Sequence, residues 1–264
     1  MSAFKYIFIG SIILNMSCTN IKKQKEIQNT FPSDTLKIDL IEKKTELDSL
    51  SCGLIFKSKK SYKVEKAAVE KSRNNLSKKY FNALNIDDKN KLLDTVKVNF
   101  TKMLLNNIIP HWYGTVWDFN GYTAIPNKGT IACGYFVSTT LQDMGLNLNR
   151  YKLAQQGPEN EAKSIAISLH EVLHFKENNI TAQLKKLDDG VYFIGLDNHV
   201  GFLYIHNKNS YFLHSNYIDG KVMLEHTDYS EAFHSGDYYI SNITANTKLM
   251  EKWLKKEEIR IFME

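Results

Sequence analysis

The chain has 264 residues, 43% hydrophobic and 24% charged, with only 4 prolines and 13 glycines. That length holds one large domain or one domain with an appendage, and the composition excludes low-complexity, collagen-like and mucin-like proteins. A formal charge of +5 over this length excludes a dedicated nucleic-acid binder and suits a solvated, Lys-rich surface.

Lys5 precedes the apolar run Tyr6-Ile7-Phe8-Ile9-Gly10-Ser11-Ile12-Ile13-Leu14. The run falls short of the ~20 residues of a spanning helix and has the charged start and apolar centre of a secretory signal. Closed by Ser17-Cys18, it resembles a bacterial lipoprotein signal, with Asn15 where that pattern has an aliphatic residue. The resemblance implies a signal peptide over 1–17, lipid attachment at Cys18, and an exported lipoprotein anchored in the membrane of the cell envelope. Residues 18–60 read as a polar tether followed by short apolar pieces without a clear assignment.

Residues 62–83, rich in Lys, Glu, Ala and Leu and free of Gly and Pro, predict a helix. A second helix is expected over 88–107, with Leu92, Val96, Phe100 and Met103 on one face and Pro110 just beyond. Residues 61–110 thus form a helical N-terminal part. The remainder, 111–264, opens on an aromatic, Gly-punctuated stretch read as a loop, in which Trp112, Tyr113, Trp117 and Tyr122 are candidates to line a groove. Packing beneath a helix is the competing role for these rings.

Cys133, Phe136, Val137, Thr140, Leu141 and Met144 share one helical face, and Gly145 supplies the stop. Another helix is expected over 158–176. Strands follow at 191–196, 199–205, 211–216, 222–226 and 238–243, and a closing helix at 247–257. Helices first and an antiparallel sheet later make the class α+β.

A thiol in the first turn of a helix is placed where the dipole favours its anion, and an imidazole opening an apolar strand is placed to take its proton. Cys133 and His199 meet those descriptions. The backbone N–H of Cys133 is the natural donor to an oxyanion. If a four-residue loop over 206–209 joins the two strands, Ile205 faces Ser210 and Gly201 faces His214. His214 then lies diagonal to His199 on the same sheet face and can orient it. A one-residue slip would hand that task to Asn198 or Asn216. With three cysteines in the chain, a disulfide framework is not expected, but Cys52 could pair with Cys133 and silence it.

Ile131-Ala132-Cys133-Gly134-Tyr135-Phe136-Val137, His199-Val200-Gly201-Phe202-Leu203-Tyr204-Ile205 and Phe212-Leu213-His214-Ser215 resemble the NlpC family of papain-like cell-wall hydrolases. The resemblance implies a papain-like α+β fold, with N-terminal helices packed on an antiparallel sheet. It implies a cysteine peptidase or amidase in which Cys133 is nucleophile, His199 base and His214 orienter. It implies peptidoglycan stem peptides or a related amide as substrate, and no cofactor. Ala132 stands where the family has an acid, and Gly134 follows the cysteine without the usual Ser. The family tyrosine that assists the oxyanion is replaced in Gly114-Thr115-Val116-Trp117, leaving Tyr113 or Tyr122 as substitutes.

Two rivals remain. His170-Glu171-Val172-Leu173-His174 matches the zinc-peptidase pattern if it lies on a helix, with His170 and His174 as ligands, Glu171 as base, and Glu225 or Glu231 as a downstream acid. A lipoprotein that binds without catalysis is the other.

Overall fold

The computed structural model describes residues 52–56, 60–168, 170–177 and 180–263. The segment read as a signal peptide, Cys18 and most of the expected tether lie outside them. Among the described residues, no helix is long and apolar enough to cross a membrane.

Helix α1 (Tyr62–Asn82) is followed by α2 (Ile86–Met103), whose first turn is capped by the Asn85 side chain accepting from the Asp88 N–H at 2.8 Å. Leu93, Val96 and Phe100 are the buried face of α2. Leu92 and Met103, expected inward, are only partly buried. A π-helical turn, Leu104–Ile108, drives Leu104, Leu105 and Ile108 into the core and runs into the short α3 (Ile109–Trp112).

Past the loop come two brief strands, β1 (Val116–Trp117) and β2 (Thr130–Ile131). Then follow α4 (Cys133–Asp143), α5 (Arg150–Ala154) and α6 (Pro158–Ala166). Helix α4 stops where Gly145 takes φ +85°. The expected helix over 158–176 ends ten residues early. Ile167 adopts a left-handed conformation (φ 59°), and Leu173–Lys176 is strand β3. Short α7 (Ile180–Leu184) leads to β4 (Gly190–Gly195), β5 (Val200–His206), β6 (Asn209–Asn216), β7 (Lys221–His226) and β8 (Asp237–Asn242), and α8 (Thr247–Lys255) packs last.

The fold is α+β around one eight-stranded sheet of order β2-β1-β7-β6-β5-β4-β8-β3, antiparallel except for the β1–β2 pair. Phe202 and Tyr204 of β5 face one core, while Leu203 and Ile205 face the other, so this strand is covered on both sides. The first core joins Val69 and Phe100 of the N-terminal helices to Phe136, Phe202 and Trp253. The helical part and the sheet therefore share one interior.

The β5–β6 turn is two residues, Asn207 and Lys208, at φ 50° and 64°, where a four-residue loop was expected. His206 pairs with Asn209, which extends the ladder by one step and leaves Ile205 opposite Ser210. The register is unchanged because each residue removed from the loop is balanced on the other strand.

Candidate active site

Cys133 opens α4. Ala132 is the N-cap, in extended conformation (φ −80°, ψ 164°), and offers no side-chain cap. The first N–H groups of the helix have no intrahelical acceptor, and those of Cys133 and Gly134 turn toward the thiol. The approach to the helix is clamped on two sides. Ser215 Oγ donates to the Ile131 carbonyl at 2.7 Å, and the Ala132 N–H donates to the Gly121 carbonyl at 2.8 Å. Ser215 follows His214 on β6, so one hydrogen bond ties the histidine strand to the cysteine helix. Gly134 is small of necessity. A Cβ there would stand 2.8 Å from the Ala154 carbonyl oxygen.

His199 sits in the β4–β5 turn, which the Leu196 N–H closes on the His199 carbonyl at 2.7 Å. Its ring is buried, and Nε2 lies 2.7 Å from Nδ1 of the fully buried His214. Tyr217 covers His199 edge to face, ring centres 5.3 Å apart. The Cys133 sulfur lies against the backbone N–H of Val200, the residue after His199. Cys133 and His199 line the same cleft, about 580 Å³, whose walls include Trp117, Phe119, Tyr135 and Tyr217.

Behind His214 the chain of contacts continues. Its Nε2 lies 2.7 Å from Glu225 Oε1, which also accepts from Asn216 Nδ2 at 2.9 Å and Ser230 Oγ at 3.0 Å. On the sheet, His214 is opposite Met223 and Phe212 opposite Glu225, so His214 and Glu225 are diagonal neighbours on one face. Asn216, an alternative orienter in the sequence, serves the carboxylate, while Asn198 is exposed at the cleft rim.

Burial governs the ionisation of all three groups. It pushes the Cys133 thiol above its ordinary value, against the pull of the Val200, Gly134 and Cys133 N–H groups. It pushes His199 well below the usual histidine range, with His214 adding to the effect, and His214 down to about 3. The helix dipole was expected to favour a resting thiolate. Desolvation outweighs it, and the resting pair is neutral thiol and neutral imidazole. Glu161, fully buried nearby, is likewise held protonated by burial.

Of the four aromatic candidates, one reaches the cleft lining and three do not. Trp112 is fully buried and donates from Nε1 to the Tyr62 hydroxyl at 2.8 Å, so it belongs to the core and not the groove. Tyr113 stacks on Phe56, centres 4.3 Å apart, also away from the cleft. Trp117 lines the cleft. Tyr122 stands behind its wall, 6.2 Å from the Tyr135 ring. Neither Tyr113 nor Tyr122 takes the oxyanion position within the cleft lining. Glu225, weighed in the sequence only as a zinc ligand, is the residue that reading misplaced. An acid closing the apolar Val222-Met223-Leu224 of β7 was its signal.

The zinc motif is taken apart by the fold. His170 lies in a bend and His174 on β3, so the shared helical face that the motif requires is absent. His174 stacks on Tyr239 and bonds Asp237 at 2.5 Å. Among the described residues no three His, Cys, Asp or Glu side chains gather as a metal site. Among the described residues Cys52 and Cys133 form no disulfide with each other, and Cys52 is buried in the main core. No protein-family model, curated protein or solved structure matches this chain.

Proposed function

We propose that the protein is a cysteine hydrolase of papain-like type that cleaves an amide or ester through a thioester on Cys133. The supporting observation is that a helix-start thiol and His199, itself linked to the buried His214, line one cleft. In the proposed reaction His199 takes the thiol proton as Sγ attacks the carbonyl carbon. The oxyanion forms beside the Cys133 N–H at the head of α4. The C–N or C–O bond then breaks as His199 returns the proton to the leaving group, and water, activated by the same ring, hydrolyses the thioester. Charge is created only within a covered site, which suits a resting pair that is neutral.

The substrate suggested by resemblance to the NlpC hydrolases is a peptidoglycan stem peptide or related amide, met by a lipoprotein tethered at the envelope through Cys18. The cleft narrows this choice. Its lining is largely aromatic and aliphatic, and among the described residues it includes Asp197 but no Lys or Arg, so it suits the neutral or cationic part of such a molecule.

The test uses the full-length chain in detergent. Incubation with p-nitrophenyl acetate should give a burst of nitrophenol and an acetyl adduct on Cys133 by mass spectrometry, both absent in C133S. Purified peptidoglycan should then yield new amino termini. A wild-type protein that acquires no adduct on Cys133 would leave a binding role in place of hydrolysis.

A further inference from the structure

We infer that Glu225 is a positioning residue that fixes the proton on both histidines, so that His199 presents Nδ1, and not Nε2, as the base. The inference builds on the hydrolase reading but stands on hydrogen-bond directions alone. Asn216 begins the argument. Its Oδ1 accepts the Ile218 N–H at 2.7 Å and the Asp219 N–H at 3.1 Å, so its amide orientation is set and Nδ2 must donate. The Nδ2 group donates to Glu225 Oε1 at 2.9 Å, and Ser230 Oγ donates to the same oxygen at 3.0 Å.

With two donors already on it, Oε1 acts as an acceptor in this proposal, and Glu225 as a carboxylate. The third neighbour, His214 Nε2 at 2.7 Å, therefore carries a proton and donates it. A neutral imidazole has one N–H, which leaves His214 Nδ1 with a lone pair. His199 Nε2, 2.7 Å from that lone pair, must in turn be the N–H. His199 Nδ1 is then the unprotonated nitrogen, available to a thiol proton. One carboxylate two strands across the sheet from the base decides the tautomer of both rings. When His199 becomes imidazolium, the same carboxylate offsets the new charge through His214.

Imidazole-15N NMR of the full-length chain tests this directly, with H199N and H214N used to assign the two rings. Between pH 6 and 8 both should be Nε2–H tautomers with unprotonated Nδ1. An Nδ1–H tautomer at either ring in the wild type would overturn the inference, whatever the protein's activity. Where acylation by p-nitrophenyl acetate is measurable, E225Q keeps an acceptor but removes the charge. Acylation should fall about 10- to 100-fold, a part of the ~10²–10⁴ that general-base catalysis supplies, and the acid limb of its pH profile should move to lower pH. E225L should also give a mixed His214 tautomer. Loss of rate in E225Q with an unmoved acid limb would reduce Glu225 to a structural support and refute the role. If the tautomers are as stated but no acyl-enzyme forms in the wild type, the hydrolase reading fails and the Glu225 assignment stands.

Discussion

A Cβ placed on Gly201 would come within 2.9 Å of the Cβ of His214 and within 2.6 Å of Phe212 Cε2. The two strands approach this closely where the β5–β6 ladder brings Gly201 beside His214, and Phe212 stacks on the His214 ring, centres 4.0 Å apart. The absence of a side chain at 201 is what lets His214 sit within reach of His199.

Gly201→Ala should therefore act on the site as well as on stability. The Leu213 carbonyl oxygen, 2.9 Å from the added carbon, is backbone and cannot rotate away. Overpacking of this kind costs about 1–3 kcal/mol. A lower urea midpoint together with loss of acylation by p-nitrophenyl acetate is the expected pair of results. An unchanged midpoint would show that the strands part without cost.

Alkylation should reveal the buried thiol. Because burial raises Cys133, iodoacetamide labelling should climb with pH through a midpoint above the ~8.5 of a free cysteine. Cys52 is buried, and a C18S/C52S variant leaves Cys133 as the one thiol of the chain. Rapid labelling of Cys133 at pH 6 would instead mean a resting thiolate–imidazolium pair.

Acid stability should report the two neutral histidines. In the unfolded chain each ring takes a proton near pH 6.5, whereas His214 in the fold resists it until about 3. The unfolded state then binds more protons, so stability is full above pH 6.5 and falls as pH drops toward 3, by about 1.4 kcal/mol per pH unit for each such ring. His214→Asn should flatten that slope relative to wild type in urea melts at pH 7 and pH 5. Parallel slopes would disprove a neutral His214.

Glu161 works in the opposite direction. Its folded form keeps a proton that the unfolded carboxyl loses above its ordinary value, and Oε2 has no hydrogen-bond partner among the described residues. Stability attributable to this group falls as pH rises, at up to about 1.4 kcal/mol per unit. Glu161→Gln should thus be more stable than wild type at pH 8 and close to it at pH 4, as read by urea midpoints. A gap that does not widen with pH would count against a protonated Glu161.

Trp117 offers a check on the cleft. It lines the wall beside Tyr217, ring centres 6.3 Å apart, and Tyr217 stands between it and His199. Trp117→Ala should raise KM about tenfold, corresponding to ~1.4 kcal/mol of lost contact, with kcat little changed. A collapse of kcat at constant KM would instead place this ring in the chemistry.

Much of this architecture was legible before folding was considered. Apolar periodicity is a local property, so α1, α2, α4, α8 and the strands β4 to β8 could be read from spacing, and strand register put His214 diagonal to His199. The misread segments are those where local pattern and tertiary context part company. Residues 167–176 have helical periodicity, but Ile167 turns left-handed and β8 recruits the following residues as an edge strand. Trp112 and Trp117 lie in one aromatic run, yet only packing could send the first to the core and the second to the cleft. The ionisation of Cys133 and the partner of Glu225 depend on what surrounds them in space. Local spacing along a chain specifies faces and registers. Desolvation and side-chain pairing are sums over neighbours distant in sequence, and they come into being only when the sheet closes.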